Sequence, residues 1–520
     1  MSRMTFLAPL TVVLVVSASA PSQERNRFAD VLALQEAVHQ SIERAEPSIA
    51  CILVSRSDKY RAYSPVEPKA PGRLGRFDLR IATVGMDKDS AEFNAISRLD
   101  LSDPNNVPES YGSGIVLDDK NGLVLTMAHV IRNATKIYVR LSGGRGSWAD
   151  IHASDPRSDL AVLRLIDRVP NLKALALGDG GKLRKGDFLL SLSNPFAAGV
   201  RDGSPSASWG MVSNLRRRAT GVRSDVLPSE RNATVPLYCF NTLIQTDTRL
   251  NLGCSGGALL NLQGELVGLS SSLAGVAGGE TPGGYGVPLD GGVRRIIEVL
   301  LRGEEVEYGF LGVYLMRADR APEGFVRITG LVPGGPAARG DLRGPQARNL
   351  RFQGGFGDEA GDLILSINGV PVRNNDDLFL TVGMHLAGST VRVEVADKPD
   401  GPRRTCSVTL AKFPSLGPVV ASKRPSARAG LYVDWTSTMA VPFLRRSQPI
   451  PEGVVIREVV SGSPASKAEL QPDTIIAKVG GQRVTNPAEF YRIMGKARGP
   501  IELTLTTLEG GESRITLDVK

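Results

Sequence analysis

A serine flanked by glycines is the residue of this chain best suited to nucleophilic chemistry. It lies in the stretch Asp247-Thr-Arg-Leu-Asn-Leu-Gly-Cys-Ser255-Gly-Gly-Ala. Glycines around a serine let the backbone turn tightly and aim two N–H groups at one point, as an oxyanion requires. A serine hydroxyl is a weak nucleophile at neutral pH, so it needs a base, and the base needs a carboxylate to orient it.

A histidine and an aspartate upstream supply these two groups. His129 ends an apolar run, Leu125-Thr-Met-Ala-His, and Asp159 opens the run Asp-Leu-Ala-Val-Leu-Arg-Leu. Taken singly, each has an ordinary structural explanation, as a core histidine, a turn aspartate and a turn serine. The order His129, Asp159, Ser255 is the triad order of the chymotrypsin-like double barrel, and all three at strand edges favour a catalytic triad.

The same serine also fits the G-x-S-x-G pattern of α/β-hydrolases, from Gly253 to Gly257. That fold requires an acid and then a histidine after the serine. The only downstream histidine, His385, lies within a repeated region, and no alternation of parallel strands and helices surrounds Ser255. The order of residues therefore excludes this alternative.

Short β-like runs separated by Gly, Asp and Asn turns recur from Gly112 to Leu289, which predicts an all-β barrel or sandwich. Before them, helical apolar spacing over residues 28–46 predicts a helix that ends at Pro47. Residues 57–110 are polar and weakly periodic, which predicts a long inserted loop. The run VRRIIEVLLRG predicts a short helix that ends at Gly303.

The last third of the chain repeats itself. GFVRITGLVPGGPAA with GDLILSINGVPV corresponds to GVVIREVVSGSPAS with PDTIIAKVGGQRV. The first copy carries an insertion around residues 342–357. A Pro/Ser/Ala/Lys-rich segment between the copies, at 414–429, predicts a linker.

Composition excludes several classes of protein. The chain has 520 residues, of which 42% are hydrophobic, so it forms cores. Its net charge of +8 is spread without one long basic stripe, which argues against nucleic acid as a partner. Its 4 cysteines lack the paired spacing of a zinc site and its 4 histidines form no H-E-x-x-H, so no metal is expected.

The N-terminus predicts export. Arg3 precedes the apolar run FLAPLTVVLVV and the small residues SASA, the pattern of a signal peptide over residues 1–20. The run is short for a bilayer span, which needs about 20 apolar residues. An uncleaved anchor remains the alternative, and only then is the membrane a partner. In both cases the bulk of the chain works outside the cytoplasm, as in a periplasm.

With these motifs in order, the chain resembles the HtrA/Deg family of exported serine proteases. The matching stretches are YGSGIVLDD, LTMAHV, SDLAVLRL, SLSNPFAAG, WGMVSNLRR, LIQTDTRLNLGCSGGALLNLQGELVGLSS and GYGVPLD. The resemblance implies a mainly β fold, with a chymotrypsin-like double β-barrel followed by two PDZ-like α+β domains. It implies residues 27–303 as the protease domain with its N-terminal helical segment, 308–413 as PDZ-like domain 1 and 430–520 as PDZ-like domain 2.

The resemblance also implies roles for individual residues. His129 is expected as general base and acid, Asp159 as its orienter and Ser255 as nucleophile, with no cofactor. The backbone N–H groups of Gly253 and Ser255 are expected to form the oxyanion hole. The strand Ser270, Ser271 and Ser272 is expected to pair with the substrate backbone.

Arg249 is one of four departures from the usual family pattern; the others are Cys254, Ala258 and Met127. Related proteases place a residue near the floor of the specificity pocket at the position of Arg249. If this side chain points inward, the preference shifts towards acidic residues; the alternative is that it faces solvent.

The PDZ-like domains imply peptide binding, with an added strand and a backbone nest for the terminal carboxylate. The first nest is expected in Tyr308-Gly-Phe-Leu-Gly-Val, with Phe310, Leu311, Gly312 and Val313 as its binding loop. The second nest is expected near Gly430 and matches the family loop only loosely, so a spacer or assembly role competes there.

These observations predict an exported, ATP-independent serine endopeptidase that degrades unfolded or misfolded proteins through an acyl-enzyme and binds their C-terminal peptides. The family implies a homo-oligomer, a trimer or a multiple of trimers, with contacts in the segment before Pro47. The alternative is a holdase-type chaperone or PDZ adaptor whose protease domain is regulatory or inert.

Overall fold

The fold is described from a computed structural model. It covers residues 28–63, 72–106, 108, 110–195, 203–218, 237, 240, 242–271, 284–316, 324–345, 361–414, 419–439, 449–507 and 510–519. Within these ranges no helix is long and apolar enough to cross a membrane. The predicted signal peptide lies outside the described residues.

The predicted N-terminal helix is confirmed as α1 (Ala29–Ala45), followed by Pro47. Its Ser41 hydroxyl donates to the carbonyl of Leu262 (2.5 Å), and the helix contacts a turn of the second barrel there. Apolar side chains at the other end of α1 are exposed to solvent: Phe28, which directly precedes the helix, is 67% exposed, and Val31 is 59% exposed. One end of α1 is therefore docked and the other is uncovered.

Six strands rich in branched apolar residues close the first barrel. They are β1 (Ile49–Ser55), β2 (Ser110–Asp118), β3 (Leu123–Met127), β4 (Lys136–Leu141), β5 (Gly146–Asp155) and β6 (Leu160–Leu165). They run in the order β5-β4-β1-β2-β3-β6, and the pairing of β5 with β6 closes the ring. Every residue of β1, β3 and β4 is buried, so this barrel is filled by side chains.

Six further strands close the second barrel. They are β7 (Phe188–Ser193), β8 (Ser206–Arg217), β9 (Leu243–Thr246), β10 (Ala258–Leu260), β11 (Leu266–Ser271) and β12 (Gly284–Pro288). Their order is β10-β11-β12-β9-β8-β7, and β10 pairs with β7. The predicted chymotrypsin-like double barrel is confirmed.

The insertion predicted over residues 57–110 does connect β1 to β2, but its described part is not a plain loop. It contains α2 (Tyr60–Tyr63), α3 (Leu79–Ala82) and α4 (Ala91–Ser97). Tyr60 and Phe77 pack with Trp148 of β5 in a separate apolar cluster on the first barrel. Helices of 4 to 7 residues are too short to leave a periodic signal in the sequence.

The predicted helix before Gly303 is confirmed as α5 (Gly291–Leu301). Asp290 caps its N-terminus, because its side chain accepts hydrogen bonds from the backbone N–H groups of Gly292 and Val293 (both 2.9 Å). Gly303 ends it in the left-handed region, at φ +77°. The helix packs its apolar face on the first barrel.

The first repeated module forms two sheets. Its strands are β13 (Gly309–Phe310), β14 (Val313–Leu315), β15 (Val326–Leu331), β16 (Leu363–Ile367), β17 (Val370–Pro371), β18 (Thr390–Ala396), β19 (Arg404–Thr409) and β20 (Ala411–Lys412). Strand β13 pairs with β20, and the other strands make a six-stranded sheet. Two helices, α6 (Pro336–Arg339) and α7 (Asn375–Gly383), complete the module. Most of the predicted insertion over 342–357 lies outside the described residues.

The segment predicted as a linker is partly a strand. β21 (Val420–Ala421) pairs antiparallel with β5, placing Val420 opposite Ser154. Directly after it, Ser422 donates its N–H to the carbonyl of His152 (2.9 Å), and its hydroxyl lies 2.8 Å from His152 Nδ1. Composition suggested a free spacer, but the backbone hydrogen bonds of this segment dock it on the first barrel.

The second module repeats the architecture of the first. Its elements are β22 (Leu431–Trp435), β23 (Val454–Val459), α8 (Pro464–Lys467), β24 (Ile475–Val479), β25 (Gln482–Arg483), α9 (Pro487–Lys496), β26 (Gly499–Thr506) and β27 (Glu512–Val519). The sheet order β22-β23-β24-β26-β27 matches β14-β15-β16-β18-β19 element for element. The predicted pair of PDZ-like α+β domains is confirmed.

A buried lysine joins the two modules and the segment that follows α5. Lys412 Nζ lies 3.0 Å from Asp434 Oδ1, 2.7 Å from Glu305 Oε1 and 3.7 Å from Glu307 Oε1, and its side chain is 5% exposed. Burial alone lowers the pKa of Lys412, but the three carboxylates outweigh burial and raise that pKa above its ordinary value. The ammonium therefore stays charged and holds three carboxylates together.

We predict that Lys412→Met destabilises the protein by about 1–3 kcal/mol, because it removes the ammonium between the buried Asp434 and the partly exposed Glu305 and Glu307. Lys478→Met is the matched control: Lys478 pairs with Glu512 at the surface over 4.0 Å, and such pairs contribute under about 1 kcal/mol. Scanning calorimetry of both variants gives the midpoints. Equal midpoints would contradict a stabilising role for the Lys412 cluster.

Candidate active site

Strand pairing brings His129 and Asp159 together. β3 ends at Met127 and β6 begins at Leu160, and these two residues lie opposite each other in the sheet. The chain segments beyond this pair must therefore meet at one edge of the barrel. Asp159 adopts φ +59°, a left-handed turn conformation, and its carbonyl accepts the N–H of Ala128 (2.8 Å).

The carboxylate of Asp159 contacts His129 at two points. Oδ2 lies 2.7 Å from the ring Nδ1, and Oδ1 accepts the backbone N–H of His129 at 2.9 Å. The bond to the ring favours the tautomer with its proton on Nδ1 and Nε2 as the acceptor, and the bond to the backbone holds the carboxylate in place. The Asp159 side chain is 3% exposed and the His129 side chain 15%, so the pair is shielded but the ring still reaches the surface.

Ser255 lies on a loop between β9 and β10 that the first barrel and β11 hold from both sides. Its carbonyl accepts the N–H of Ser113 on β2 (2.8 Å). On the other side, the N–H of Gly256 donates to the carbonyl of Ser270 (2.9 Å), and the N–H of Ser270 donates to the carbonyl of Gly257 (2.9 Å). Ser255 itself is 3% exposed. The serine is thus fixed at the interface of the two barrels.

Two glycines of this loop are required by its backbone. Gly253 has φ +88° and Gly256 φ +86°, a region that residues with a side chain avoid. A Cβ on Gly253 would lie 2.5 Å from the ring of Tyr111, and one on Gly256 would lie 2.2 Å from the carbonyl oxygen of Ser113. Both the turn and its close approach to β2 therefore depend on the missing side chains.

Gly112 connects the serine loop to the histidine. A Cβ at Gly112 would lie 2.6 Å from Val130 and 3.2 Å from the carbonyl oxygen of Ser255. Val130 directly follows His129, so the backbone of Gly112 lies between the histidine segment and the serine loop. The serine loop and the segment that follows His129 therefore approach the same glycine.

Ser113 was missed by the sequence analysis, although the stretch YGSG was among the matching motifs. Its hydroxyl donates to the carbonyl of Gly253 (2.9 Å) and accepts the N–H of Asn194 (2.9 Å). This buried hydroxyl links the expected oxyanion loop to β2 and to the end of β7. A serine between two glycines on a predicted strand was the available signal.

Ser270, the first residue of the expected substrate strand, already has hydrogen-bond partners for its backbone groups. Ser270 uses its N–H and its carbonyl on the serine loop, and its hydroxyl donates to the carbonyl of Cys254 (2.5 Å). These contacts of Ser270 hold the serine loop, and the pairing of residues 270–272 with substrate stays a prediction. Ser271 is buried and lies opposite Tyr285 of β12, and Ser272 lies outside the described residues.

Arg249 is exposed, and its backbone N–H donates to the hydroxyl of Ser208 (3.0 Å). Exposure favours the alternative in which the side chain faces solvent. Cys254 is buried, and its sulfur accepts the hydroxyl of Ser193 (3.1 Å). In the described part of the chain, no group of three or more His, Cys, Asp or Glu could hold a metal ion.

The expected carboxylate loop connects β13 to β14. Gly312 adopts φ +78°, its carbonyl accepts the N–H of Val332 (2.9 Å), and Leu311 accepts the N–H of Ala337 (2.9 Å). β14, which begins at Val313, is an edge strand of its sheet. Phe310 is half-buried and packs edge-to-face on Phe413 (6.2 Å between ring centroids). An edge strand that follows a glycine loop is the arrangement into which a peptide adds as a further strand.

We predict that Gly256→Ala lowers the free energy of unfolding by about 1–3 kcal/mol more than Gly186→Ala does, because the new Cβ also overlaps β2. Gly186 has φ +89°, and a Cβ added there would have no atom within 4 Å, so its substitution isolates the cost of the left-handed backbone, about 1–2 kcal/mol. Denaturant unfolding of both variants measures the difference. Equal losses would show that the approach of Gly256 to Ser113 is not tight.

Known proteins resemble this chain over most of its length. The trypsin-like peptidase domain family matches residues 112–269. The periplasmic pH-dependent serine endoprotease DegQ of Escherichia coli (strain K12) is 30% identical over 431 residues, which are 81% of this chain and 83% of DegQ. The periplasmic serine endoprotease DegP of Salmonella typhimurium (strain LT2) is 29% identical over 416 residues, 78% of this chain and 75% of DegP.

Among solved structures, the HtrA-type protease AlgW with tripeptide is 22% identical, with a TM-score of 0.46, and the match covers 72% of this chain and 97% of AlgW. The serine endoprotease from Yersinia pestis is 23% identical, with a TM-score of 0.43, and the match covers 72% of this chain and 98% of that one. On the peptidase-domain match and the identity to DegQ, the chain belongs to the HtrA/Deg family of serine endoproteases.

Proposed function

We propose that the protein is an exported, ATP-independent endopeptidase that degrades unfolded or damaged proteins through a Ser255 acyl-enzyme. The observation that carries this proposal is the two-point contact of Asp159 with His129 beside the buried serine loop. An oriented imidazole next to an activated serine is the arrangement that acyl transfer requires.

In the proposed mechanism His129 Nε2 accepts the proton of the Ser255 hydroxyl as its oxygen attacks the scissile carbonyl carbon. The C–N bond then breaks, and His129 returns the proton to the leaving amine. A water molecule, deprotonated by His129, hydrolyses the ester and restores Ser255. Asp159 stays ionised and stabilises the imidazolium, while the N–H groups of Gly253 and Ser255 stabilise the oxyanion. No step consumes a nucleotide.

The first PDZ-like domain is proposed to bind the C-terminal residues of substrates at Phe310, Leu311, Gly312 and Val313. The edge position of β14 supports strand addition. Helix α7 lies on the other side of the proposed peptide groove, because Asn375 Nδ2 donates to the carbonyl of Met316, directly after β14 (3.1 Å). In the second domain Gly430 has φ +87°, and a Cβ there would lie 1.9 Å from the Ser463 hydroxyl oxygen. That loop is tightly filled, which favours a spacer or assembly role.

The proposal also covers the localisation of the protein and its partners. Relatives such as DegQ and DegP are named periplasmic, and the N-terminal pattern of this chain predicts export to the same side. The exposed apolar side chains Phe28, Val31 and Leu32 of the N-terminal segment support self-association into a trimer or a multiple of trimers. The substrates are proposed to be unfolded or misfolded proteins.

We expect the wild-type protein to cleave reduced casein and the Ser255→Ala variant to leave it intact, because only the wild type has the nucleophile. The measurement is gel electrophoresis over a range of temperatures, with and without C-terminal peptides. If the wild type also leaves casein intact under all conditions, the protease proposal fails. If it then prevents aggregation of an unfolding protein, the holdase alternative takes its place.

Peptides with a free C-terminal carboxylate should bind at least about tenfold more tightly than the same peptides with a C-terminal amide, since a backbone nest stabilises the negative charge. Fluorescence anisotropy on the Ser255→Ala protein gives both dissociation constants without cleavage. Equal affinities of the two peptides would exclude a carboxylate nest at residues 310–313.

A further inference from the structure

The turn that carries Asp159 is tied to a second acidic residue. Asp155 ends β5, and its Oδ2 accepts the hydroxyl of Ser158 (2.5 Å) and the N–H of Ser158 (2.9 Å). Its Oδ1 accepts the N–H of Arg157 at 3.3 Å. Asp155 is 3% exposed. From this buried position its side chain holds the backbone of the short turn that carries Asp159.

A residue from beyond the protease barrels completes this arrangement. The Tyr308 hydroxyl donates to Asp155 Oδ2, and Tyr308 is only 1% exposed. Tyr308 directly precedes β13, and its carbonyl accepts the N–H of Phe413, which follows β20 (2.7 Å). Tyr308 was expected in the carboxylate nest, but its side chain packs against the first barrel.

Arg157 of the same turn is enclosed by the two aromatic rings. Its guanidinium carbon lies 3.7 Å from the ring centroid of Phe413 and 5.0 Å from that of Tyr308. A cation over a ring face is stabilised most when water is excluded, and Arg157 is 4% exposed. The turn is therefore held both through Asp155 and through Arg157 by residues of the first PDZ-like module.

The electrostatics of this cluster make its contacts interdependent. Burial raises the pKa of Tyr308 well above its ordinary value, so the phenol keeps its proton and remains a donor. Burial also raises the pKa of Asp155, and the hydrogen bonds from Ser158 and Tyr308 oppose that rise. Without the Tyr308 donor, the buried carboxyl group of Asp155 keeps only the hydrogen bonds from its own turn, and the loss of this partner favours a shift of the turn.

We propose that Tyr308 is a positioning residue for catalysis: by donating to Asp155 across the boundary between protease and PDZ-like module, it fixes the turn that carries Asp159. This inference rests on the proposed roles of Ser255, His129 and Asp159. The protease site is then complete only when the first PDZ-like module is docked. A contact that merely joined the two domains would change stability and leave the chemistry of Ser255 unaltered.

The test compares Tyr308→Phe with Tyr60→Phe in the full chain. Both substitutions remove one hydroxyl from a buried tyrosine, and the Tyr60 hydroxyl donates to the carbonyl of Leu99, in the helical segment on the first barrel. Phosphonylation of Ser255 by a fluorophosphonate probe reports the chemistry, with a maximal rate constant and a half-saturating concentration. Thermal unfolding midpoints report stability.

We expect Tyr308→Phe to lower the maximal rate constant at least about tenfold, because a misplacement of about 1 Å costs on the order of 10²-fold. The half-saturating concentration should stay within about twofold, since probe binding does not involve the turn. Tyr60→Phe should leave both kinetic constants unchanged. Asp159→Asn should lower the maximal rate constant about 10⁴-fold, and this value is the lower limit for the other variants.

An unchanged maximal rate constant in Tyr308→Phe would overturn the proposal, whatever its midpoint. If Tyr308→Phe does not fold, Phe413→Leu serves as the second variant, because it keeps an apolar side chain but removes the ring over Arg157. Equal labelling of wild type and Ser255→Ala would instead contradict the proposed function. The two failures are thereby distinguished.

Discussion

One carboxylate, that of Asp159, makes two hydrogen bonds to one residue, and the proposed chemistry depends on both. A single bond to the ring would let the imidazole swing, whereas the second bond to the backbone of His129 ties the position of the acid to that of the base. This requires the ends of β3 and β6 to lie in register, which the pairing of Met127 with Leu160 provides. The register of β3 against β6 therefore sets the geometry of this part of the site.

Buried polar contacts, rather than apolar surfaces alone, join the modules of this chain. Lys412 pairs with carboxylates from two other segments, the one after α5 and β22, and Asp155 accepts a hydrogen bond from the Tyr308 hydroxyl across the protease boundary. Apolar side chains tolerate many relative orientations, but a buried charge is satisfied only in one of them. We infer that these contacts select a single docking geometry of the modules.

Local patterns in the sequence predicted the double barrel, the order of His129, Asp159 and Ser255, and the repeated modules. Each of these features produces a pattern among neighbouring residues, such as alternation, turn glycines or a recurring motif. Contacts between distant segments left no such signal. A single sequence does not reveal contacts with partners that are distant along the chain. Such contacts determine the strand at Val420, the buried hydroxyl of Ser113 and the inward side chain of Tyr308.

The short strand β21 has a consequence for the order in which the protein is made. It covers the end of β5 near Ala153 and Ser154, beyond the point where β4 pairs with that strand. Until Val420 has emerged, this stretch of backbone is an open edge that can template pairing with another chain. Nascent or truncated molecules that end before β21 thus expose a short strand edge that the full chain covers, and this edge is protected only late in synthesis.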